Sequence, residues 1–304
     1  MMARRLHLGL LHCQYIVPPF SPCPTAVTIH DTLFESNPEF FSRFFVIRSR
    51  LLMRRSALRS SLVFSVSEFS RRELIQRYKL RDGQVITVPN GADCKRFHPA
   101  AQANGELGKY GIESGAYLLT VGRLEPRKNH IRLVKAYQAL PRPRPKLVII
   151  GQRDFGYSEV FDTIRAADLT GEILVLENVN DRMLPMFYQN ALAFVYPSLA
   201  EGFGMPLLEA MASGIPVITS GNTALREVGG DAVLFVNPDD PASIASAISA
   251  VLADTKLRRD LVERGLRRVS GYDWDNSAAD VVSSYRKLLM SQNRGVEGTA
   301  GSAG

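Results

Sequence analysis

The chain has 304 residues, of which 45% are hydrophobic, 22% charged and 9% aromatic; this balance excludes a disordered, collagenous or disulfide-scaffold protein and allows two domains, each with its own core. The formal charge of +7 belongs to the first third, where residues 1–100 carry 15 Lys/Arg against 7 Asp/Glu while the remainder carries 22 against 23. Cys13, Cys23 and Cys94 are scattered, with no C-x-x-C pair, which disfavours a disulfide framework or structural zinc and suits a reducing compartment.

The opening MMARRLHLGLLHCQYIVPPF is a poor secretion signal, because its apolar stretch is short and broken by His7, His12 and Gln14. No apolar run reaches the roughly 18–20 residues that span a bilayer, so a cytoplasmic protein is expected, with peripheral attachment to an inner-membrane surface left open. The first predicted strand is 26–29. Residues 40–63 follow as a basic amphipathic helix, in which Phe44, Phe45, Ile47, Leu51, Leu52 and Leu58 interleave with Arg43, Arg48, Arg50, Arg54, Arg55 and Arg59. Two readings compete for it: an ordinary docked helix with a solvated arginine face, or attachment to an anionic membrane by apolar insertion and charge attraction. Nucleic-acid binding is not expected, since no RNP, zinc-finger or helix-turn-helix pattern is present.

A strand at 62–66, a helix at 70–78 capped by Ser67 or Ser70, and a strand at 85–88 complete a first region with about three strands, fewer than a doubly wound domain normally has. Pro99 and the stretch AAQANGELGKYG mark a boundary within 97–115. Beyond it, strands at 117–121, 146–150, 173–176, 193–196, 216–219 and 232–235 alternate with helices at 129–140, 157–167, 181–190, 206–213, 224–228, 241–253 and 254–270, and a last helix is expected at 276–291. Most of the strands are Val/Ile-rich without alternation, the pattern of βαβ units whose parallel sheet is covered on both faces. The fold class is α/β, and the tail 291–304 reads as unstructured.

Chemistry concentrates at two strand ends. In SLAEGFGMPLLEAMASGIPV, Pro206 suits the first turn of a helix and Gly214 its left-handed exit. Gly202 and Gly204 let backbone approach a ligand, and the helix N-terminus favours an anion such as a diphosphate. Glu209, about one turn inside the helix, is placed to accept hydrogen bonds from a ribose diol, while Glu201 precedes it at the loop. In VGRLEPRKN, Arg123 and Lys128 offer a guanidinium fork and an ammonium that can neutralise a departing diphosphate; the plainer alternative is a solvated basic loop whose Asn129 caps the next helix. His30 ends another strand, where a lone histidine is more often structural, and Asn90 lies in a turn at a third. Asp273-Trp274-Asp275 has the D-x-D form of a metal motif, but Asp275 reads better as a helix N-cap.

Together, the Glu201-x7-Glu209 element, the Gly122-Arg123-x4-Lys128 loop, His30-Asp31, Val66-Ser67-Glu68-Phe69-Ser70, Pro89-Asn90-Gly91 and Trp274 resemble family 4 of the retaining glycosyltransferases, of GT-B fold, over about residues 14–289. The resemblance implies two facing Rossmann-like domains: a partial acceptor-side domain at 1–105, a nucleotide-sugar-binding domain at 106–272, and a helix at 273–290 that crosses back to the first domain. It implies a donor-binding set of Gly122, Val179 and Leu184 at the base, Gly202, Phe203 and Gly204 around sugar and phosphates, Glu209 at the ribose, and Asn90. The catalytic set implied is His30 near the transferred sugar, Arg123 and Lys128 on the diphosphate, and Glu201, with Trp274 as packing. No metal or other cofactor is expected. The implied reaction moves a hexose, mannose from a GDP-sugar being the specific expectation, from a GDP- or UDP-hexose to a glycan, polysaccharide or lipid-linked acceptor with retention of configuration. Family members usually begin with a further Gly-rich βαβ stretch that this sequence lacks, so a non-catalytic or partner-dependent nucleotide-sugar-binding module is the rival reading. A dinucleotide oxidoreductase is disfavoured, as no G-x-G-x-x-G is present.

Overall fold

In a computed structural model, residues 5–99 and 106–300 are described, with side chains through Ser291. The chain divides into two compact units. One holds residues up to Gly91, apart from Glu39–Phe41, together with the chain from Asp273 onward; the other holds Glu39–Phe41 and Ala92–Tyr272. The break falls ahead of the stretch that reads as a linker because residues 92–99 are already bonded into the second unit: Ala92 N donates to Tyr272 O at 2.9 Å, Gln189 Nε2 donates to His98 O at 2.9 Å, and Phe97 lies edge-on to Tyr188.

In the first unit, β1 (Leu11–Gln14), β2 (Thr25–Thr28), β3 (Leu62–Ser65) and β4 (Val85–Thr87) form a parallel sheet in that order. β1 is a fourth strand where the sequence shows about three. Its LHCQ alternates half-buried and exposed positions, so no apolar run betrays it, and as an edge strand it needs none. Helix α1 (Arg43–Arg59) starts at Ser42, whose hydroxyl accepts from Phe45 N at 3.3 Å, and it buries Val46, Ser49, Met53, Ser56 and Ala57. Helix α2 (Glu68–Tyr78) is capped by Ser67 rather than Ser70, with Ser67 Oγ accepting from Ser70 N at 3.0 Å.

The second unit carries β5 (Tyr117–Val121), α3 (His130–Gln138), β6 (Lys146–Ile150), α4 (Ser158–Ala166), β7 (Ile173–Leu176), α5 (Leu184–Gln189), β8 (Ala193–Tyr196), α6 (Met205–Ala212), β9 (Val217–Ser220), α7 (Thr223–Gly229), β10 (Leu234–Val236), α8 (Pro241–Ala253) and α9 (Thr255–Val269). Its six parallel strands stand in the order β10-β9-β8-β5-β6-β7. Leu118, Leu147, Ile149, Val195 and Ile218 from the strands share one core with Leu133, Val134 and Tyr137 of α3 and with Ile244, Ile248 and Val251 of α8. The chain steps outward from β5 to β7 and then returns to lay β8 on the other side of β5, so the strand order reverses between β5 and β8. In open parallel sheets, a ligand crevice forms beyond the carboxyl ends of the strands at such a reversal. The loops after β5 and β8 are the two that carry the sequence motifs.

The last helix, α10 (Trp274–Ala300), returns to the first unit, where Val281, Tyr285 and Leu288 pack on Ala26, Leu62, Phe64 and Val88. Its cap is Asp273 and not Asp275: Asp273 Oδ1 accepts from Asp275 N at 2.7 Å. A Cβ added at Gly91 would lie 2.4 Å from the backbone N of Trp274, so glycine is what lets the chain pass the start of this helix. The helix extends past 291 to Ala300, where the sequence reading expects an unstructured tail; the segment contains no proline to stop it. Residues 301–304 of that tail lie outside the described residues.

Candidate functional site

The loop after β5 makes a short 3-10 turn at Pro126–Lys128 and enters α3 through Asn129, which adopts a left-handed conformation (φ +62°). Asn129 does not cap α3 with its side chain. It is buried, and its Nδ2 donates to Pro197 O at 2.9 Å and to Pro238 O at 2.7 Å, stapling this loop to the end of β8 and to the loop before α8. The reading of a solvated basic loop therefore fails for its centre: the side chains of Arg127 and Lys128 are only 15% and 11% exposed.

Both cations converge on Glu201 from the loop after β8. Glu201 Oε1 accepts from Lys128 Nζ, Tyr196 OH and Ser198 Oγ, each at 2.7 Å, and Oε2 accepts from Arg127 Nη1 at 2.7 Å. Arg127 Nη2 also bonds Glu125 at 2.6 Å. Burial alone would raise the Glu201 pKa, but Lys128 and Arg127, with the hydrogen bonds they and Tyr196 supply, hold it at about 2. Tyr196 is pushed well upward by burial and by the Glu201 charge, so it stays a neutral donor. Lys128 Nζ gives one hydrogen to Tyr196 OH at 2.6 Å and one to Glu201, and an ammonium has three. Gly122 lies beside this lysine: a Cβ there would be in ordinary contact with the Lys128 side chain at 3.4 Å.

Next to Glu201, Gly202, Phe203 and Gly204 lead into α6. Phe203 is buried edge-on against Tyr272. Gly204 occupies the N-cap with φ +110°, no side chain caps the helix, and a Cβ at Gly204 would meet Leu225 at 2.7 Å. In the first turn of α6, Pro206 has no N–H and Leu207 N already donates to Gly204 O at 3.0 Å, so the amides of Gly204 and Met205 are the ones that give this end of the helix the character of an anion cradle. Inside the helix, Glu209 accepts from Tyr188 OH at 2.8 Å, and burial raises its pKa above the ordinary carboxylate value in spite of that bond. Arg96 and Asp181 act on Glu209 electrostatically and are themselves paired at 2.6 Å. That pair ties down the loop that carries Val179 and leads to Leu184, the first residue of α5, both of them half-buried.

Arg123 stands apart from this cluster. Its side chain is 70% exposed and bonds Asp154 at 2.8 Å in the loop after β6. His30 and Asn90 belong to the first unit, where they line a cavity of about 390 Å³ with Gln14, Val66, Pro89 and Trp274. His30 Nε2 is 3.3 Å from Gln14 Oε1, its ring lies against Tyr15, and burial lowers its pKa while Asp31 opposes the shift. Arg127, the second cation on Glu201, was not singled out from the sequence; its position next to Lys128 in the same loop is the signal that could have found it. Among the described residues, no group of three or more His, Cys, Asp or Glu is placed to hold a metal ion.

Residues 106–268 match the family described as glycosyl transferases group 1, and residues 1–96 match glycosyltransferase family 4. The chain is 33% identical over 265 residues to the O-antigen chain mannosyltransferase B of Escherichia coli, covering 86% of this chain and 70% of that protein. Among solved structures, a sucrose-phosphate synthase of Thermosynechococcus elongatus superposes with a TM-score of 0.81 at 22% identity, over 95% of this chain and 76% of the other. The Anabaena protein HepE, in complex with UDP and glucose, gives 0.76 at 22% identity, over 87% and 72%. These neighbours share the GT-B fold, an α/β architecture of two Rossmann-like domains with parallel sheets.

Proposed function

The chain belongs to the group 1 glycosyl transferases, with a family 4 region at its start, and from that premise we propose that it moves mannose from GDP-mannose to a growing glycan, with retention of configuration and without a divalent metal. The observation that carries this is the position of Lys128 Nζ beyond the reversal between β5 and β8, anchored by Tyr196 and Glu201 with one hydrogen left for an incoming oxygen. A mannosyltransferase relative supports the sugar, and a structural neighbour bound to UDP and glucose supports a nucleotide-sugar donor.

Breaking the bond between sugar and diphosphate builds negative charge on the leaving group. In this proposal, Lys128 and the amides at the start of α6 bind that charge, and Arg123 joins them by exchanging Asp154 for a phosphoryl oxygen. Glu201 already accepts four hydrogen bonds, so its part is to fix Lys128 and Arg127 and to shape the loop beside the sugar. Glu209 receives the ribose hydroxyls, with Val179 and Leu184 beside the base. His30 acts at the transferred sugar, and the acceptor hydroxyl passes its proton to the departing diphosphate. Incubation with GDP-mannose and an oligosaccharide acceptor in excess EDTA tests this. The expected product is one mannose longer, with the α-configuration of the donor by NMR. Nucleotide binding without turnover, or a product of inverted configuration, would count against it.

A further inference from the structure

Helix α1 (Arg43–Arg59) is apolar on two opposite sides. One side is the buried face of Val46, Ser49, Met53, Ser56 and Ala57. At roughly 100° per residue, Phe44, Ile47, Leu51 and Leu58 fall within about 60° of one another on the opposite side. These four are 77%, 70%, 69% and 52% exposed. Arg43 and Arg54 border the stripe on one edge and Arg48, Arg55 and Arg59 on the other, all exposed. The helix contains no acidic residue, and of its arginines Arg50, which lies off the stripe, pairs with Glu35 at 3.6 Å. At the last residue of the helix, Arg59 Nη1 donates to Pro19 O at 2.8 Å, which brings the loop with Phe20, 76% exposed, to this end of the stripe.

An apolar stripe that faces water is costly for a folded chain and signals a binding surface. Its flanks select the occupant. A second copy would bring the same arginines together, and an ordinary protein groove would need a complementary acidic rim around an apolar bar. A surface that offers negative charge along both edges and hydrocarbon beneath the middle is the headgroup region of an anionic bilayer. We infer that α1 is a membrane-docking helix that lies in the plane of an anionic lipid surface, with Phe44, Ile47, Leu51, Leu58 and Phe20 entering the acyl boundary and the flanking arginines on lipid phosphates. Among the described residues no helix is long and apolar enough to cross a membrane; the attachment inferred for α1 lies at the surface. It places the active chain where a lipid-linked acceptor would be met.

Flotation of the purified chain with vesicles tests this. Binding is expected to phosphatidylcholine vesicles containing about 30 mol% phosphatidylglycerol and not to phosphatidylcholine alone, and to weaken as salt rises toward about 0.5 M. The double substitutions Phe44→Ser with Leu51→Ser, and Arg54→Glu with Arg55→Glu, each remove exposed groups. Each should lower vesicle partitioning by roughly tenfold or more while the thermal midpoint and the turnover of a soluble acceptor stay unchanged. Failure to float with anionic vesicles, or flotation unaffected by both pairs, would overturn the inference. So would a solution dimer that Leu51→Ser dissolves, or RNA binding that displaces the vesicles.

Discussion

Lys128 Nζ and Glu201 Oε1 lie 2.7 Å apart, both with side chains about one-tenth exposed, across the reversal of the larger sheet. With Arg127 on the other carboxylate oxygen and Glu125 on Arg127, two cations face two carboxylates, and this site is charge-balanced before any ligand arrives. The carboxylate is what keeps two buried cations tolerable. Glu201→Gln should therefore cost about 3–5 kcal/mol, because Lys128 loses its counter-charge and Arg127 keeps only Glu125. The pH dependence has a fixed sign. A carboxylate held at about 2 against an ordinary 4.5 stabilises the fold above 4.5, and that contribution disappears as pH falls toward 2. Chemical denaturation across this range should show the acid loss in the wild type and a flatter curve in Glu201→Gln.

Arg123 has a different signature. Its exposed pair with Asp154 contributes little to stability, so Arg123→Ala should leave the thermal midpoint nearly unchanged. If it swings to the diphosphate, kcat/KM for the donor should fall by roughly 10- to 100-fold. Steady-state kinetics beside a melting curve separate a ligand role from a structural one.

Glu209 is raised by burial, and a ribose diol is held by the ionised form. Donor KM should then climb as pH drops through a value above the ordinary carboxylate range, and Glu209→Ala should raise donor KM by roughly 10- to 100-fold with a smaller change in kcat. A 2′-deoxynucleotide donor tests the assignment from the ligand side, since it should lose less affinity in the variant than in the wild type.

Gly91 tests the attachment of α10. A Cβ placed 2.4 Å from Trp274 N cannot be absorbed by a side-chain rotation, so Gly91→Ala should destabilise the first unit by about 1–3 kcal/mol, read as a lower thermal midpoint and faster proteolysis near 273.

The elements legible in the sequence were those fixed by continuous apolar runs. β5, β6, β7 and β8 occupy the residues read from YLLTV, KLVII, ILVL and AFVY, because a strand buried on both faces has no alternative pattern to hide behind. The edge strand β1, half polar, escaped for the opposite reason. Within the site, glycine spacing and the placement of Lys128, Glu201 and Glu209 could be read locally, since each lies within one loop or one helical turn. Partners distant in sequence could not. Nothing near Arg123 announces Asp154, 31 residues on, and nothing in RKN shows that Arg127 turns inward to Glu201 while Asn129 reaches Pro197 and Pro238.

The most direct measurement is calorimetric titration of GDP into the wild type and Lys128→Ala. The variant keeps Arg127, Tyr196 and Ser198 on Glu201, so it should remain folded, and its Kd should rise at least about tenfold with the loss of one charge-assisted bond. Equal affinity in both proteins, with both melting alike, would contradict the placement of the diphosphate at this lysine.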